Sequence, residues 1–100
     1  GNQQTSLTET FYKGVLAMSE GIQIEGKRVI IDMRARIAKG EHPRREILNA
    51  IKAAPKDSII EIHLPHRAEP LIANLQSLGM NVIVTELEPM HFRLMAVKLD

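Results

Sequence analysis

Three histidines lie at predicted junctions between strands and helices, where an imidazole ring could bind a ligand. His42 immediately precedes Pro43, His66 lies in the turn before a second predicted helix, and His91 opens the last predicted strand. Neutral imidazoles are ligands for zinc, copper and iron, so His42, His66 and His91 are a candidate transition-metal set. The same rings could instead bond backbone groups or face solvent, or contact an anion or a protein partner. The sequence leaves these alternatives open.

Charged residues near the same junctions indicate an anionic ligand. Asp32 could orient Arg34, two residues later, toward a ligand carboxylate or phosphate, or the two could form a structural ion pair. His42 and Glu69 stand at the expected N-cap positions of two helices instead of Ser, Thr, Asp or Asn. Free N–H groups in a first helical turn attract anions. The predicted ligand-binding residues are Asp32, Arg34, His42, Pro43, His66 and Arg67.

Alternating strands and helices would bring these residues to one edge of a sheet. β-branched or alternating apolar runs predict strands over 28–33, 58–64, 81–87 and 91–99. Apolar stripes that begin near a proline predict helices over 43–54 and 70–78. Right-handed crossovers would make the first three strands parallel and the fourth antiparallel. We therefore expect His42, His66 and His91 on one rim, and His63 on the sheet face opposite the helices.

The rest of the chain divides into an extension and a basic connection. Residues 1–26 are predicted to be an N-terminal extension and residues 27–100 the α/β domain. A helix is predicted near the start of the extension, where Leu7, Phe11, Val15 and Met18 are helically spaced. Residues 34–41 are expected to be irregular. Strand alternation would give the sheet face opposite the helices an apolar patch, Ile59, Met95, Val97 and Leu99, which the N-terminal helix or a second copy should cover.

Composition bounds the function classes. A chain of 100 residues with 44% apolar and 25% charged residues fits one globular domain. The absence of Cys excludes disulfides, zinc–thiolate sites, iron–sulfur clusters and thiol nucleophiles. No apolar run is long enough to cross a bilayer and no secretory signal pattern is present, so we expect a cytoplasmic protein without a membrane partner.

The charge distribution leaves RNA binding as an alternative. Residues 27–56 carry nine basic and three acidic groups, although the net charge of the chain is only +1. Such a segment is typical of a solvated basic face. It could also bind RNA, but three aromatic residues offer few stacking platforms, so nucleic acid is not the favoured partner.

Catalytic motifs are not found. The sequence contains no nucleophile elbow, P-loop, dinucleotide glycine fingerprint or zinc-protease pattern. An enzyme is therefore not expected, and any catalysis would rest on His42 or His66 as an acid or base.

Three short motifs carry a resemblance to a known family, namely Asp32-Met33-Arg34, His42-Pro43 and the hexapeptide His66-Arg67-Ala68-Glu69-Pro70-Leu71. They resemble the uncharacterised branch of the TusA/SirA-like domains, whose members are sometimes fused to haemerythrin domains. The resemblance covers about residues 27–99. It implies a two-layer α/β sandwich with a mixed four-stranded sheet in the order 1-2-4-3, similar to the C-terminal domain of a translation initiation factor.

The resemblance does not carry its chemistry to this chain. TusA-type proteins hold a persulfide on a cysteine that precedes the helix-opening proline, and the matching position here is His42. Sulfur relay of that type is not expected without a cysteine. We expect a small binding or accessory domain whose rim holds an anionic small molecule or an acidic protein surface, as a monomer or homodimer. A metal- or redox-linked protein that uses the rim histidines is the other alternative, beside RNA binding.

Overall fold

Six strands and three helices fill the part of the chain that the structure describes. A computed structural model describes residues 16–99. The strands are β1 (Leu16–Ser19), β2 (Ile22–Glu25), β3 (Arg28–Asp32), β4 (Ile59–Leu64), β5 (Val82–Glu88) and β6 (His91–Val97). The helices are α1 (Arg34–Ala38), α2 (Arg44–Ala53) and α3 (Glu69–Ser77). The predicted helical positions Leu7, Phe11 and Val15 lie outside the described residues.

All six strands form one mixed sheet in the order β1-β2-β3-β4-β6-β5. β3 and β4 are parallel, and β6 runs antiparallel to both β4 and β5. β3, β4, β6 and β5 therefore lie side by side in the order that the resemblance implied. The predicted strand count of four is wrong, because β1 and β2 add two antiparallel strands beside β3. Residues 16–25, assigned to an extension by the sequence, thus belong to the same sheet.

A tight turn joins β1 to β2. Gly21 adopts a φ of +88°, a conformation that favours glycine, and its carbonyl accepts a hydrogen bond of 2.8 Å from the Asp32 backbone N–H. The turn places Leu16 opposite Ile24 and Ala17 opposite Gln23. The predicted helix is therefore wrong for residues 16–18, because this segment pairs with β2 as a strand.

One face of the sheet packs against α2 and α3 and forms the core. An amphipathic helix buries an apolar stripe against the core, and α2 buries Ile47, Ala50 and Ile51. α3 buries Leu71, Ile72 and Leu75. The sheet contributes the alternate residues Val29, Ile31, Ile60, Ile62, Leu64, Leu94 and Ala96 to the same cluster. This arrangement places the starts of α2 and α3 beside the end of β4.

The connection after β3 differs from the prediction. Residues 34–41, expected to be irregular, begin with the single-turn helix α1. Met33 is fully buried before it, and its carbonyl accepts the Ile37 N–H at 2.9 Å. α1 buries no residue of its own, so no apolar stripe marked it in the sequence. None of the helices within residues 16–99 has the length and apolar character to span a membrane.

The opposite face of the sheet is open across the described residues. Ile59 and Val97, directly paired on β4 and β6, are 45% and 44% exposed. Met95 lies on the same face, as predicted, because it alternates with the buried Leu94 and Ala96. Leu99 was expected there too, but β6 ends at Val97 and Leu99 lines a groove with Ile51 and Leu78.

Lys98 closes the C-terminal end of α2. Its Nζ donates to the carbonyl oxygens of Ile51, Lys52 and Ala54 at 3.0, 2.7 and 2.6 Å. The last carbonyls of a helix have no partner within the helix, and a cation there also interacts favourably with the helix dipole. One side chain thereby links the end of β6 to the end of α2.

Replacing Lys98 with methionine removes this cap while keeping a long apolar stem. We expect the free energy of unfolding to fall by about 1 kcal/mol, since hydrogen bonds from a charged donor are lost at a partly exposed site. Urea denaturation at neutral pH measures the effect. The matched control is K56M on an exposed lysine, which should unfold like the wild type. Equal midpoints for K98M and the wild type would contradict a capping role.

Candidate functional site

A cleft of about 550 Å³ opens between the loop before α2, the start of α3 and the end of β4. Its volume lies within the range typical of small-molecule sites. The apolar lining consists of Ile37, Pro43, Ile47, Leu64, Ala68, Pro70 and Leu71. The polar lining consists of Glu41, His42, Arg44, Arg45 and His66. The structure thus brings His42, Pro43 and His66 together, as the sequence predicted.

The floor of the cleft follows from the core pattern of its elements. Leu64 is the last residue of β4 and, like Ile60 and Ile62, points to the helices. Ile47 and Leu71 lie in the first turns of α2 and α3, and both are at least nine-tenths buried. These side chains give the cleft an apolar floor, because a buried strand ends where two helices begin.

The turn between β4 and α3 contains a strained residue. Ala68, the N-cap of α3, has φ +56° and ψ +57°, a left-handed conformation rare for a residue with a Cβ. Its carbonyl accepts the N–H groups of Leu71 and Ile72 at 3.0 and 3.1 Å, so the helix begins there despite the strain. Strained backbone is concentrated at functional sites, and Ala68 lines the cleft.

The start of α2 presents positive charge to the cleft. Pro43 is the N-cap instead of the predicted His42, and the helix has no side-chain cap within the described residues. The first N–H bonded within the helix is that of Ile47, which donates to Pro43 at 3.0 Å, so the N–H groups of Arg44 and Arg45 precede the ladder. Within residues 16–99 the guanidinium groups of Arg44 and Arg45 form no ion pair. An anion in the cleft would therefore meet two unpaired cations and the positive end of a helix dipole.

Arg36 fixes the loop that carries His42. Its side chain is only 11% exposed, and it donates from Nε to Glu41 at 2.8 Å. Its two terminal nitrogens bind both carboxylate oxygens of Glu46 at 2.7 Å, a bidentate pair. The two carboxylates raise the pKa of Arg36, so it stays charged. Arg36 was predicted to belong to a solvated basic face, but it neutralises the acidic lining of the cleft and leaves Arg44 and Arg45 available.

The predicted pair of Asp32 and Arg34 forms, but away from the cleft. Arg34 donates from Nε and Nη2 to the two carboxylate oxygens of Asp32 at 3.0 and 2.8 Å. These bonds lower the pKa of Asp32 and raise that of Arg34. Both residues line a separate surface groove of about 410 Å³ beside Glu20 and Gly21. The pair lies away from the cleft because Arg34 begins α1 and does not continue β3.

Arg67 is also outside the cleft lining. Its Nε donates to the Glu69 carboxylate, and both side chains are more than half exposed. Exposed pairs of this kind contribute little to stability. Of the six predicted ligand-binding residues, His42, Pro43 and His66 line the cleft.

His91 lies at the predicted end of the sheet but on its open face. Leu94 and Ala96 face the helices, so alternation turns His91 and Arg93 the other way. The Nε2 atom of His91 lies 2.8 Å from Nδ1 of His63, the histidine excluded from the rim by the sequence. His42, His66 and His91 therefore do not share one surface. Within residues 16–99 no three His, Asp or Glu side chains are grouped to hold a metal ion.

The sequence interpretation missed the apolar floor and Arg45 as cleft residues. The floor residues fit the predicted strands and apolar helix stripes, and the signal that could have assigned them to the cleft is their position at the ends of those elements: Leu64, Ile47 and Leu71.

Comparisons with protein-family models, curated proteins and solved structures found no match. Membership of the TusA/SirA-like domains stays a prediction.

Proposed function

We propose that this protein is a binding domain for a small organic anion, which occupies the cleft at the starts of α2 and α3. The observation that carries the proposal is an apolar floor beside Arg44 and Arg45, two cations that form no ion pair within residues 16–99. The apolar part of the ligand would cover Leu64 and Leu71. Its carboxylate, sulfonate or phosphate group would meet Arg44, Arg45 and the first turn of α2.

The shape of the site favours a small molecule over an acidic protein surface. An acidic protein surface needs an exposed basic area, whereas this site is concave and its floor is made of buried aliphatic side chains. His42 and His66 are exposed at the mouth of the cleft, where each could donate a further hydrogen bond to the anion. Sulfur transfer has no part in the proposal, because the chain contains no cysteine.

The test is a fluorescence titration with anilinonaphthalene sulfonate, which joins an aromatic body to one sulfonate. We expect saturable binding to the full chain and a loss of affinity of about tenfold in the R44A/R45A double variant. Added salt should weaken binding to the wild type more than to the variant, since salt screens an exposed ionic contact.

Two controls isolate the cleft from general charge effects. The K27A/K56A variant removes two exposed cations elsewhere, leaves the same net charge as R44A/R45A, and should bind the probe like the wild type. Phenylnaphthylamine, which lacks the sulfonate, should bind the wild type, R44A/R45A and K27A/K56A with equal affinity. Equal sulfonate affinities for the wild type and R44A/R45A, with matching circular dichroism, would refute the proposed function.

A further inference from the structure

Glu61, His63 and His91 form a hydrogen-bonded chain on the open face of the sheet, on the side opposite the cleft. Oε2 of Glu61 lies 2.6 Å from Nε2 of His63, and Nδ1 of His63 lies 2.8 Å from Nε2 of His91. The side chains of Glu61 and His63 are each only 15% exposed. Both ring nitrogens of His63 are thus engaged, while Nδ1 of His91 has no partner among the described residues.

Counting protons assigns the donor and the acceptor in each hydrogen bond between Glu61, His63 and His91. Arg28 binds the other oxygen of Glu61 at 3.0 Å, and together with His63 it lowers the pKa of Glu61, so the carboxylate is ionised and only accepts. His63 therefore donates from Nε2. When His63 is neutral its Nδ1 must accept, so His91 donates from Nε2 and carries a lone pair on Nδ1.

We propose that Glu61, His63 and His91 are an acid–base site that takes up one proton, which enters at Nδ1 of His91. The proton comes from a weak acid that reaches the open face. A bond forms between this proton and Nδ1 of His91, the Nε2 proton of His91 passes to Nδ1 of His63, and the donor leaves as its conjugate base. His63 then carries the positive charge and donates to Glu61 on one side and to His91 on the other. Both hydrogen bonds of the chain survive, and the reverse sequence returns the proton.

The surrounding charges favour one proton and oppose a second. Charged residues surround His63 and His91 on their own and the adjacent strands: Arg28 and Asp32 on β3, Glu61 on β4, Glu88 on β5 and Arg93 on β6. Arg34 of α1 is bound to Asp32. Arg93 stands directly opposite His63, and its Nε is buried without a hydrogen-bond partner in the described residues. A second proton would put two N–H groups against each other across 2.8 Å, next to this guanidinium.

Nitrogen-15 spectra of the histidine side chains test the proposal on the full chain, from about pH 8 to pH 5. His63 and His91 should follow one shared curve whose amplitudes sum to one proton. His42 and His66 should follow separate curves. In E61Q the shared step should move to lower pH by about one unit, because the positive charge loses its carboxylate.

The H91Q variant shows whether the two rings act together. His63 should then titrate alone, while the backbone amide spectrum stays that of the folded wild type. Two independent protons in the wild type would overturn the proposal, as would an unchanged His63 curve in H91Q. The wild-type curves decide even if a variant fails to fold. Neither result bears on the cleft, which contains none of these residues.

Discussion

Replacing Gly21 with alanine is expected to lower the free energy of unfolding by about 3 kcal/mol. Two causes add. A φ of +88° is unfavourable for any residue with a Cβ, and the new Cβ would overlap the Asp32 carbonyl oxygen. That oxygen belongs to the backbone of β3 and cannot rotate away, so the turn between β1 and β2 must move. Chemical denaturation of G21A against the wild type measures the loss.

Gly79 supplies the matched control for the conformational part of this effect. Its φ is also +88°, but a Cβ there would meet nothing within 4 Å. G79A should therefore cost only about 1 kcal/mol. Similar losses for G21A and G79A would show that the turn accommodates the methyl group and would contradict the close approach of Gly21 to β3.

Replacing Glu61 with glutamine should cost about 2 kcal/mol at neutral pH and almost nothing in strong acid. The folded-state pKa of Glu61 is lowered from the ordinary 4.5, first by the hydrogen bond from His63 and then by that from Arg28. A lowered carboxyl pKa stabilises the fold above the unfolded value, and this stability disappears as the pH falls through the folded value. The wild type should therefore lose stability below about pH 5 more steeply than E61Q.

Denaturant unfolding of both proteins at about pH 7 and about pH 3 measures this difference. Glu69 provides the control, because it forms a similarly short pair with Arg67 but its side chain is 68% exposed. E69Q should differ from the wild type by less than about 0.5 kcal/mol at both pH values, because its ion pair is exposed and only its place in the first turn of α3 contributes. A constant gap between the wild type and E61Q across this pH range would show that the ionised carboxylate is not what stabilises the fold.

The sequence predicted the second part of the fold well, for reasons that individual residues make clear. Ile60, Ile62 and Leu64 alternate as a half-buried strand must, and Pro43 and Pro70 lie within one residue of the start of α2 and α3. Each of these signals is local. The resemblance implied a sheet of four strands, and β3, β4, β6 and β5 do lie side by side, but the full order differs from the prediction because β1 and β2 were missed.

The misses have identifiable physical causes. Met18 fitted a helical spacing, but strand pairing with β2 determined the structure of its segment, and pairing is not a local property. The alternation of Ile22 and Ile24 with Gln23 and Glu25 was the signal for β2. Nothing in the sequence marked α1, which buries no apolar residue.

The candidate site was predicted in part for the same reason. His42 and His66 line the same cleft because each lies just before a helix that follows one of two parallel strands, and topology places those helix starts side by side. The prediction put His91 on the rim because it opens the last strand, and it did not consider which face of the sheet this residue occupies. The alternation that put Met95 and Val97 on the open face also puts His91 there, beside His63. The sequence does not show that Arg36 binds Glu41 and Glu46, so it does not show that these carboxylates leave Arg44 and Arg45 available to the cleft.

The edge position of β5 bears on how the protein avoids aggregation. Among the described strands β5 is an outer one, and the backbone groups of an outer strand could pair with a strand of another molecule and start a fibril. Ile83, 68% exposed on β5, would favour such stacking. The far end of the strand opposes it, because Glu86 and Glu88 are exposed carboxylates and the register shift between them distorts the edge. If copies of β5 stacked in parallel and in register, as in a fibril, these carboxylates would lie next to one another and repel, so they oppose that form of aggregation.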